Sequence, residues 1–208
     1  MKLNSPAIPN NNVFINCPFD REYTDLFQAI CFTIAGCGFV PRCAIEDIDS
    51  GEVRLDKIRR IISECALGVH DISRTELSPT THLPRFNMPF ELGLYLGCKF
   101  YGSAEQRSKR TLILDRDRYR YRQFLSDIGG QDPEAHFGDI ANAIEIIRNW
   151  LQCATPELLD GPLHLTLKFQ RFHFDLPQLA FELGANHDQL TFKDLYWTIR
   201  RWLAWQVG

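Results

Sequence analysis

The chain has 208 residues, of which 45% are hydrophobic and 24% are charged. This composition is typical of a folded globular protein and excludes disordered, collagen-like and disulfide-scaffold architectures. With 23 Lys and Arg against 26 Asp and Glu, the formal net charge is -3, so no global charge favours binding to nucleic acid or to an anionic membrane.

The sequence also argues against membrane insertion and secretion. Its longest uncharged stretch, 26–41, is shorter than the roughly 20 apolar residues that a membrane span requires. The first 12 residues are polar, lack the apolar segment of a secretory signal, and predict a flexible N-terminus over 1–12. The seven cysteines form no C-x-x-C pair, and no histidine stands at metal-ligand spacing from a cysteine. We therefore expect a cytoplasmic protein with reduced thiols and no metal site.

Short apolar runs alternate with helical patterns over the first 152 residues. The runs at 13–17, 39–45, 66–72 and 111–115 predict strands. Apolar residues at helical spacing within 23–34, 58–65 and 137–151 predict helices, and a further helix is expected to begin near Asn87. This order predicts an α/β domain over 13–153 with a flavodoxin-like, doubly wound parallel sheet.

The chain changes character after the turn-rich segment 154–162. Residues 163–208 are rich in Phe, Leu and Trp and predict a C-terminal helical subdomain, with a capping box from Thr191 to Asp194 opening its last helix. Trp197, Arg201 and Trp205 share one face of that helix. This face fits either packing against the α/β domain or an interface with a partner.

Ligands of parallel α/β sheets bind beyond the carboxyl ends of the strands. The ends of the predicted strands are followed by the segments 16–20, 46–51, 71–73 and 115–116. Three of these four segments begin with a carboxylate, as expected of a ligand crevice. The candidate binding residues from these segments are Asn16, Pro18, Asp20, Ser73 and Asp115.

Glu91 is the only charged residue in the stretch 87–98. We expect Asn87 to cap the helix and to border the ligand, Glu91 to lie near the start of a largely buried helix, and Gly93 and Gly97 to let that helix approach the sheet. Glu91 could simply accept hydrogen bonds from the helix start. Alternatively, Glu91 and Asp71 converge on one crevice as the pair of carboxylates that glycosidic bond cleavage uses.

Four segments, 13–20, 65–73, 90–97 and 110–115, together resemble the nucleoside 2-deoxyribosyltransferase-like superfamily, which is structurally related to TIR domains. The resemblance covers roughly residues 12–152, and its most specific element is the Phe-Glu-Leu-Gly motif at 90–93. It implies that Glu91 is the catalytic glutamate, as in TIR enzymes that cleave NAD. It also implies that Asp71 helps to hold the sugar or base, and that Phe14, Asn16 and Pro18 line the nucleoside pocket.

The resulting hypothesis is an N-glycosidase or N-glycosyltransferase that cleaves the base–sugar bond of a nucleoside, nucleotide or NAD, in phage defence or nucleotide salvage. No cofactor is expected beyond the nucleotide substrate. We expect a homo-oligomer or a complex through the C-terminal helices, without nucleic acid or membrane as a partner. The basic run 116–122 is expected to be a solvated face, with phosphate binding as the alternative. The alternative function is a non-catalytic nucleotide-sensing or assembly subunit.

Overall fold

The computed structural model of the chain describes residues 10–77 and 82–206. Its single sheet contains β1 (Asn12–Asn16), β2 (Val40–Cys43), β3 (Leu67–Asp71), β4 (Arg110–Asp115) and β5 (Glu134–Ala135). All neighbours pair in parallel, in the order β2-β1-β3-β4-β5. The predicted α/β fold with a flavodoxin-like parallel sheet is confirmed, and strand order reverses between β1 and β3. The two-residue strand β5 was not predicted.

In the described part of the chain, seven helices accompany the sheet: α1 (Thr24–Gly36), α2 (Arg54–Ser63), α3 (Asn87–Tyr101), α4 (Ala104–Arg107), α5 (Ile140–Gln152), α6 (Pro162–Glu182) and α7 (Phe192–Trp205). Short 3-10 turns lie at 21–23, 120–123, 126–128 and 187–189. Alternate residues of β1 serve opposite faces of the sheet, as the pleat requires. Val13 and Ile15 pack in one core with α1 and α5, and Phe14 packs with α2 and α3.

Helix α3 lies close to β3 because Gly68 has no side chain. A Cβ atom at Gly68 would lie 2.7 Å from Cζ of Tyr95. The expectation for Gly93 and Gly97 was wrong, since a Cβ at either position would meet nothing within 4 Å and both face a surface groove beside α2. The expected burial of α3 is also corrected: its buried residues are Met88, Glu91, Leu92 and Tyr95. The helix therefore buries one stripe and exposes the other.

The C-terminal helices share the core of the α/β domain. Helices α6 and α7 both pack on α1, and α6 also packs on α5. Phe32 of α1 is surrounded by Phe169, Phe172 and Trp202, with ring centroids 5.2 to 5.8 Å away. The predicted capping box is confirmed, because the Thr191 side chain accepts from Asp194 N and Asp194 accepts from Thr191 N.

The face that carries Trp197, Arg201 and Trp205 is not buried by the described residues. Trp197 and Trp205 are 51% and 52% exposed, and the Arg201 guanidinium lies 5.3 and 4.4 Å from their ring centroids. The buried tryptophan of α7 is instead Trp202. Of the two interpretations of this face, packing against the α/β domain is therefore not supported by the described residues.

Three segments lie outside the described residues: 1–9 of the predicted flexible N-terminus, 78–81 between β3 and α3, and 207–208 at the end of the predicted C-terminal subdomain. Where the N-terminal segment is described, the Asn10 and Asn12 side-chain amides both donate to the backbone carbonyl of Glu64. Among the described helices, none is both long and apolar enough to cross a lipid bilayer.

Candidate functional site

Asp71 ends β3 and is completely buried. Its Oδ2 accepts a 2.5 Å hydrogen bond from the Tyr23 hydroxyl, and its Oδ1 accepts a 2.7 Å bond from the backbone N–H of Ser73. His136 Nε2 lies 3.1 Å from Oδ2, with its N–H out of line for an ideal hydrogen bond. Burial alone would raise the pKa of Asp71, but the contacts with His136, Ser73 and Tyr23 outweigh it and lower that pKa. Asp71 is thus an ionised carboxylate with its acceptor sites occupied from within the protein.

Asn16 ties the end of β1 to the start of α3. Its amide nitrogen donates a 2.8 Å hydrogen bond to the Met88 carbonyl and lies 3.1 Å from Nδ1 of His70. Burial, with a contribution from Lys109, lowers the pKa of His70 to about 3, so the imidazole is neutral at physiological pH. This buried contact fixes the position from which α3 presents Glu91.

Glu91 differs from Asp71 in having few partners. Its side chain is 8% exposed and its nearest cation is the guanidinium of Arg54, 4.0 Å away. Within 10–77 and 82–206, no group donates a hydrogen bond to its carboxylate, the backbone N–H groups of the helix start included. Burial raises the pKa of Glu91, and Arg54 only partly opposes the increase. The interpretation of Glu91 as a carboxylate that accepts hydrogen bonds from the backbone N–H groups at the start of α3 is therefore not supported.

The two carboxylates lie at the same end of the sheet, and both act on the buried thiol of Cys17. Burial raises the pKa of Cys17 well above its usual value, and both Asp71 and Glu91 add to the increase. The structure thus places Glu91 on the α2 and α3 side of the strand ends and Asp71 beneath the start of α1, near one buried thiol.

Asp115, at the end of β4, is held by Arg120. Its Oδ1 accepts hydrogen bonds of 3.0 and 2.6 Å from Nε and Nη2 of Arg120, while Oδ2 is buried without a described partner. Arg120 also donates to the Ser73 carbonyl and the Thr75 hydroxyl. Burial raises the pKa of Asp115 although Arg120 opposes it. The arginine therefore joins the loops that follow β3 and β4 and is not free to bind a phosphate.

The basic run 116–122 is thus only partly a solvated face. Arg116 is exposed, with its guanidinium 4.0 Å from Glu76, and Arg122 stacks 4.7 Å from the ring centroid of Tyr119. Arg120, in contrast, is internal.

A broad cavity of about 840 Å³ opens over the carboxyl ends of β1, β3, β4 and β5. Asp20 stands on its wall and pairs with Arg85 at 3.0 Å and with Arg74 at 3.6 Å. Ser73 and Arg116 also line this cavity, as do Tyr23 and His136. We call it the edge cavity below.

The structure does not gather all the predicted site residues in one cavity. Pro18, Asp20 and Ser73 line cavities at the strand ends. Phe14 and Asn16 lie inside the protein, Phe14 stacking on Tyr95 with centroids 6.3 Å apart. Asn87 is exposed and is the first residue of α3, so its predicted capping role was wrong: Phe86 occupies the cap position without a side-chain hydrogen bond. Glu91 lines neither the edge cavity nor the smaller cavity described below.

Sequence reasoning missed Tyr23 and His136. Both stand far from Asp71 in sequence, and Tyr23 matches the apolar spacing of α1, which hides the role of its hydroxyl. Only the pairing of β5 with β4 brings His136 to Asp71.

Across the described ranges, no three His, Cys, Asp or Glu side chains are grouped so that they could hold a metal ion. Five cysteines are buried, Cys98 is partly buried and Cys153 is exposed, all as free thiols.

A scan against models of protein families found no match to the chain, and a search of curated proteins found none either.

Proposed function

We propose that the protein is an N-glycosidase or N-glycosyltransferase that cleaves the base–sugar bond of a nucleoside, nucleotide or NAD, with Glu91 as the reacting carboxylate. The single observation that carries the proposal is the state of Glu91: nearly buried, without a described hydrogen-bond donor, and 4.0 Å from its nearest cation. The resemblance of 90–93 to the Phe-Glu-Leu-Gly motif of the nucleoside 2-deoxyribosyltransferase-like superfamily supports the same residue.

The chemistry follows from where charge develops. As the bond from C1′ to the base nitrogen breaks, its electron pair leaves with the base and positive charge develops on the sugar. A poorly solvated carboxylate stabilises that charge more strongly than it would in water, or bonds to C1′ as a nucleophile. Water or a second base then bonds to C1′ and gives up a proton, which goes to the departed base or, when that base leaves neutral, to solvent. Either reaction regenerates the Glu91 carboxylate.

Asp71 is a positioning residue in this proposal. A carboxylate whose two oxygens each accept a hydrogen bond, from Tyr23 and from Ser73, is a weaker nucleophile than a free one, because the donors stabilise its negative charge. Its role is to hold the loop after β3 and the start of α1 in place at the strand ends.

The test is base release measured by liquid chromatography after incubation with NAD, deoxynucleosides and deoxynucleotides. We expect release from at least one substrate and a loss of at least about 100-fold in Glu91→Gln, as is usual for a nucleophile or charge-stabilising group. The matched control is Glu105→Gln, an exposed glutamate on α4, which should retain full activity. Absence of release from every substrate, or undiminished release by Glu91→Gln, contradicts the proposal. Adding a second base separates transfer from hydrolysis.

A second candidate, a nucleotide-sensing or assembly subunit, is favoured by an unpartnered apolar stripe on α6. Leu163, Leu167, Phe174 and Phe181 are all exposed on the side opposite the buried stripe. Together with Gln170 and Pro177 they follow the alternating 4 and 3 spacing of a coiled-coil seam.

That spacing reads the same in both directions, so two copies can pair antiparallel about the middle of α6. Leu163 of one copy then meets Phe181 of the other, and Gln170 meets Phe174. We propose that a second copy of this chain covers the stripe. Nucleotide binding that changes the molar mass in solution, without base release, would favour this candidate over the enzyme.

A further inference from the structure

A second cavity, of about 460 Å³, lies where the C-terminal helices meet the loop between β1 and α1. Its walls combine Pro18–Arg21, the start of α1, Ile45 after β2, and the segment that leads into α7. We call it the α1/α7 cavity. Asp20 and Arg21 line both this cavity and the edge cavity, so the loop 18–21 separates the two. A volume of this size is in the range of small-molecule sites.

The apolar part of the α1/α7 cavity is largely aromatic. Phe27 stands between Phe19 and Phe192, with ring centroids 5.3 and 6.1 Å away. Ile45, Leu190 and Leu195 complete the apolar wall. Rings in this arrangement offer faces and edges against which a flat aromatic ligand can pack.

Among the polar side chains that line the cavity, Gln28 offers a hydrogen-bond donor without a described acceptor. Gln28 is 6% exposed and its Oε1 lies 3.2 Å from Nδ1 of His173, while its amide nitrogen has no acceptor among the described residues. Asp20 pairs through Oδ2 with Arg85, but its buried Oδ1 has no described partner. Unsatisfied polar groups on an apolar cavity are costly unless a ligand or water meets them.

We propose that the α1/α7 cavity binds a nucleobase. A nucleobase is a flat ring whose edge carries hydrogen-bond acceptors as well as donors. Its faces suit the aromatic walls, and an acceptor on its edge suits the Gln28 amide. Arg21 lies on the rim and forms no ion pair with a described residue, so it can meet a phosphate on the attached sugar. Asp188, also on the rim, already contacts His187 at 3.1 Å.

This site is independent of the proposed function. Its walls do not include Glu91. Six of the lining residues come from the C-terminal segment that the family resemblance does not cover: His187, Asp188, Leu190, Thr191, Phe192 and Leu195. The C-terminal helices would then complete a binding site as well as covering α1.

Binding is measured by isothermal titration calorimetry of the full chain, with adenosine, cytidine, AMP and CMP as probes. Two variants test the cavity: Thr24→Trp, which places an indole on the cavity wall at an exposed position, and Gln28→Leu, which removes the amide at similar volume. We expect Thr24→Trp to weaken binding at least 10-fold and Gln28→Leu to weaken it by about 5- to 10-fold, the usual effect of one hydrogen bond. The control is Gln123→Leu in the turn after β4: Gln123 is exposed and lines neither cavity, so this variant should bind as the wild type does. Thermal melts establish that each variant is folded.

Comparing AMP with adenosine shows whether the ligand is a nucleotide or a nucleoside. Tighter binding of AMP than of adenosine, lost in Arg21→Ala, supports a nucleotide, whereas equal binding supports a nucleoside. The proposal is overturned if none of the four probes binds saturably, or if Thr24→Trp binds like the wild type. The proposal is also overturned if Glu91→Gln abolishes binding while Thr24→Trp retains it, because the probe would then bind at Glu91. Base release without binding in the α1/α7 cavity would sink this proposal and leave the glycosidase standing.

Discussion

Replacing Tyr23 with Phe tests whether Asp71 is held as a structural anion. The substitution removes the hydroxyl that donates 2.5 Å to Asp71 Oδ2 and leaves the buried ring in place. A hydrogen bond to a charged group contributes about 1.5–3 kcal/mol. For a chain of this size each kcal/mol corresponds to about 2–4 °C in melting temperature, so we expect Tyr23→Phe to melt about 3–12 °C below the wild type at pH 7.

The pH dependence has a definite sign. The pKa of Asp71 is lowered in the folded protein, so its ionisation stabilises the fold above the unfolded pKa, and that stability is lost as pH falls through the folded pKa. Removing the Tyr23 donor raises the folded pKa. The difference between variant and wild type should therefore be largest near neutrality. It should narrow in acid, as pH falls through the folded-state pKa of Asp71 in the variant toward the lower one in the wild type.

The assay is urea unfolding followed by tryptophan fluorescence at pH 7 and at pH 4. Tyr101→Phe is the matched control, because Tyr101 is almost fully exposed at the end of α3, and we expect its free energy of unfolding to change by less than about 0.5 kcal/mol. An unchanged stability of Tyr23→Phe at pH 7, or a loss that does not narrow in acid, would refute the structural role of Asp71.

Three further predictions concern stability and assembly. Because burial raises the pKa of Glu91, its negative charge opposes folding once pH rises above the pKa of the unfolded state. Glu91→Gln should therefore raise the melting temperature at pH 7, and the gain should be absent near pH 3. A lower melting temperature at pH 7 would contradict this. Gly68→Ala should destabilise by about 1–3 kcal/mol through overpacking, since its Cβ would lie 2.7 Å from Tyr95 Cζ. Gly93→Ala, with nothing within 4 Å, should stabilise by about 0.5–1 kcal/mol; equal effects in urea unfolding would refute the packing of α3. Phe174→Glu should convert a dimer into a monomer in light scattering, and an unchanged mass would exclude α6 as the interface.

The strands and long helices followed from apolar spacing because the sheet is covered on both faces. Val13 to Ile15 are buried whichever way they point, so the segment reads as an uninterrupted apolar run. Strand β5 has two residues, of which Glu134 is exposed, and such a short strand leaves no periodic signal. The cap of α3 was misjudged at Asn87 because capping depends on backbone angles, and those place Phe86 at the cap position.

The candidate site was only partly accessible to sequence reasoning. Glu91 was expected to be buried because the whole of α3 was expected to be largely buried. The structure buries Glu91, although α3 exposes its other face. Nothing in the spacing distinguished it from Asp71, although one carboxylate lacks described donors and the other has two hydrogen bonds and a histidine contact. The donors come from residues 23 and 136, which lie on other elements of the fold.

Composition and periodicity by themselves determined the class of the fold, the positions of strands β1 to β4 along the chain, and the helical nature of the C-terminal segment. These features depend mainly on the pattern of residues close in sequence. Tertiary structure alone decided which carboxylate is satisfied, which tryptophan of α7 is buried, and that the start of α7 closes a cavity at the strand ends. Those features depend on contacts between residues distant in the chain, and side-chain periodicity carries no information about which distant partner a polar group will meet.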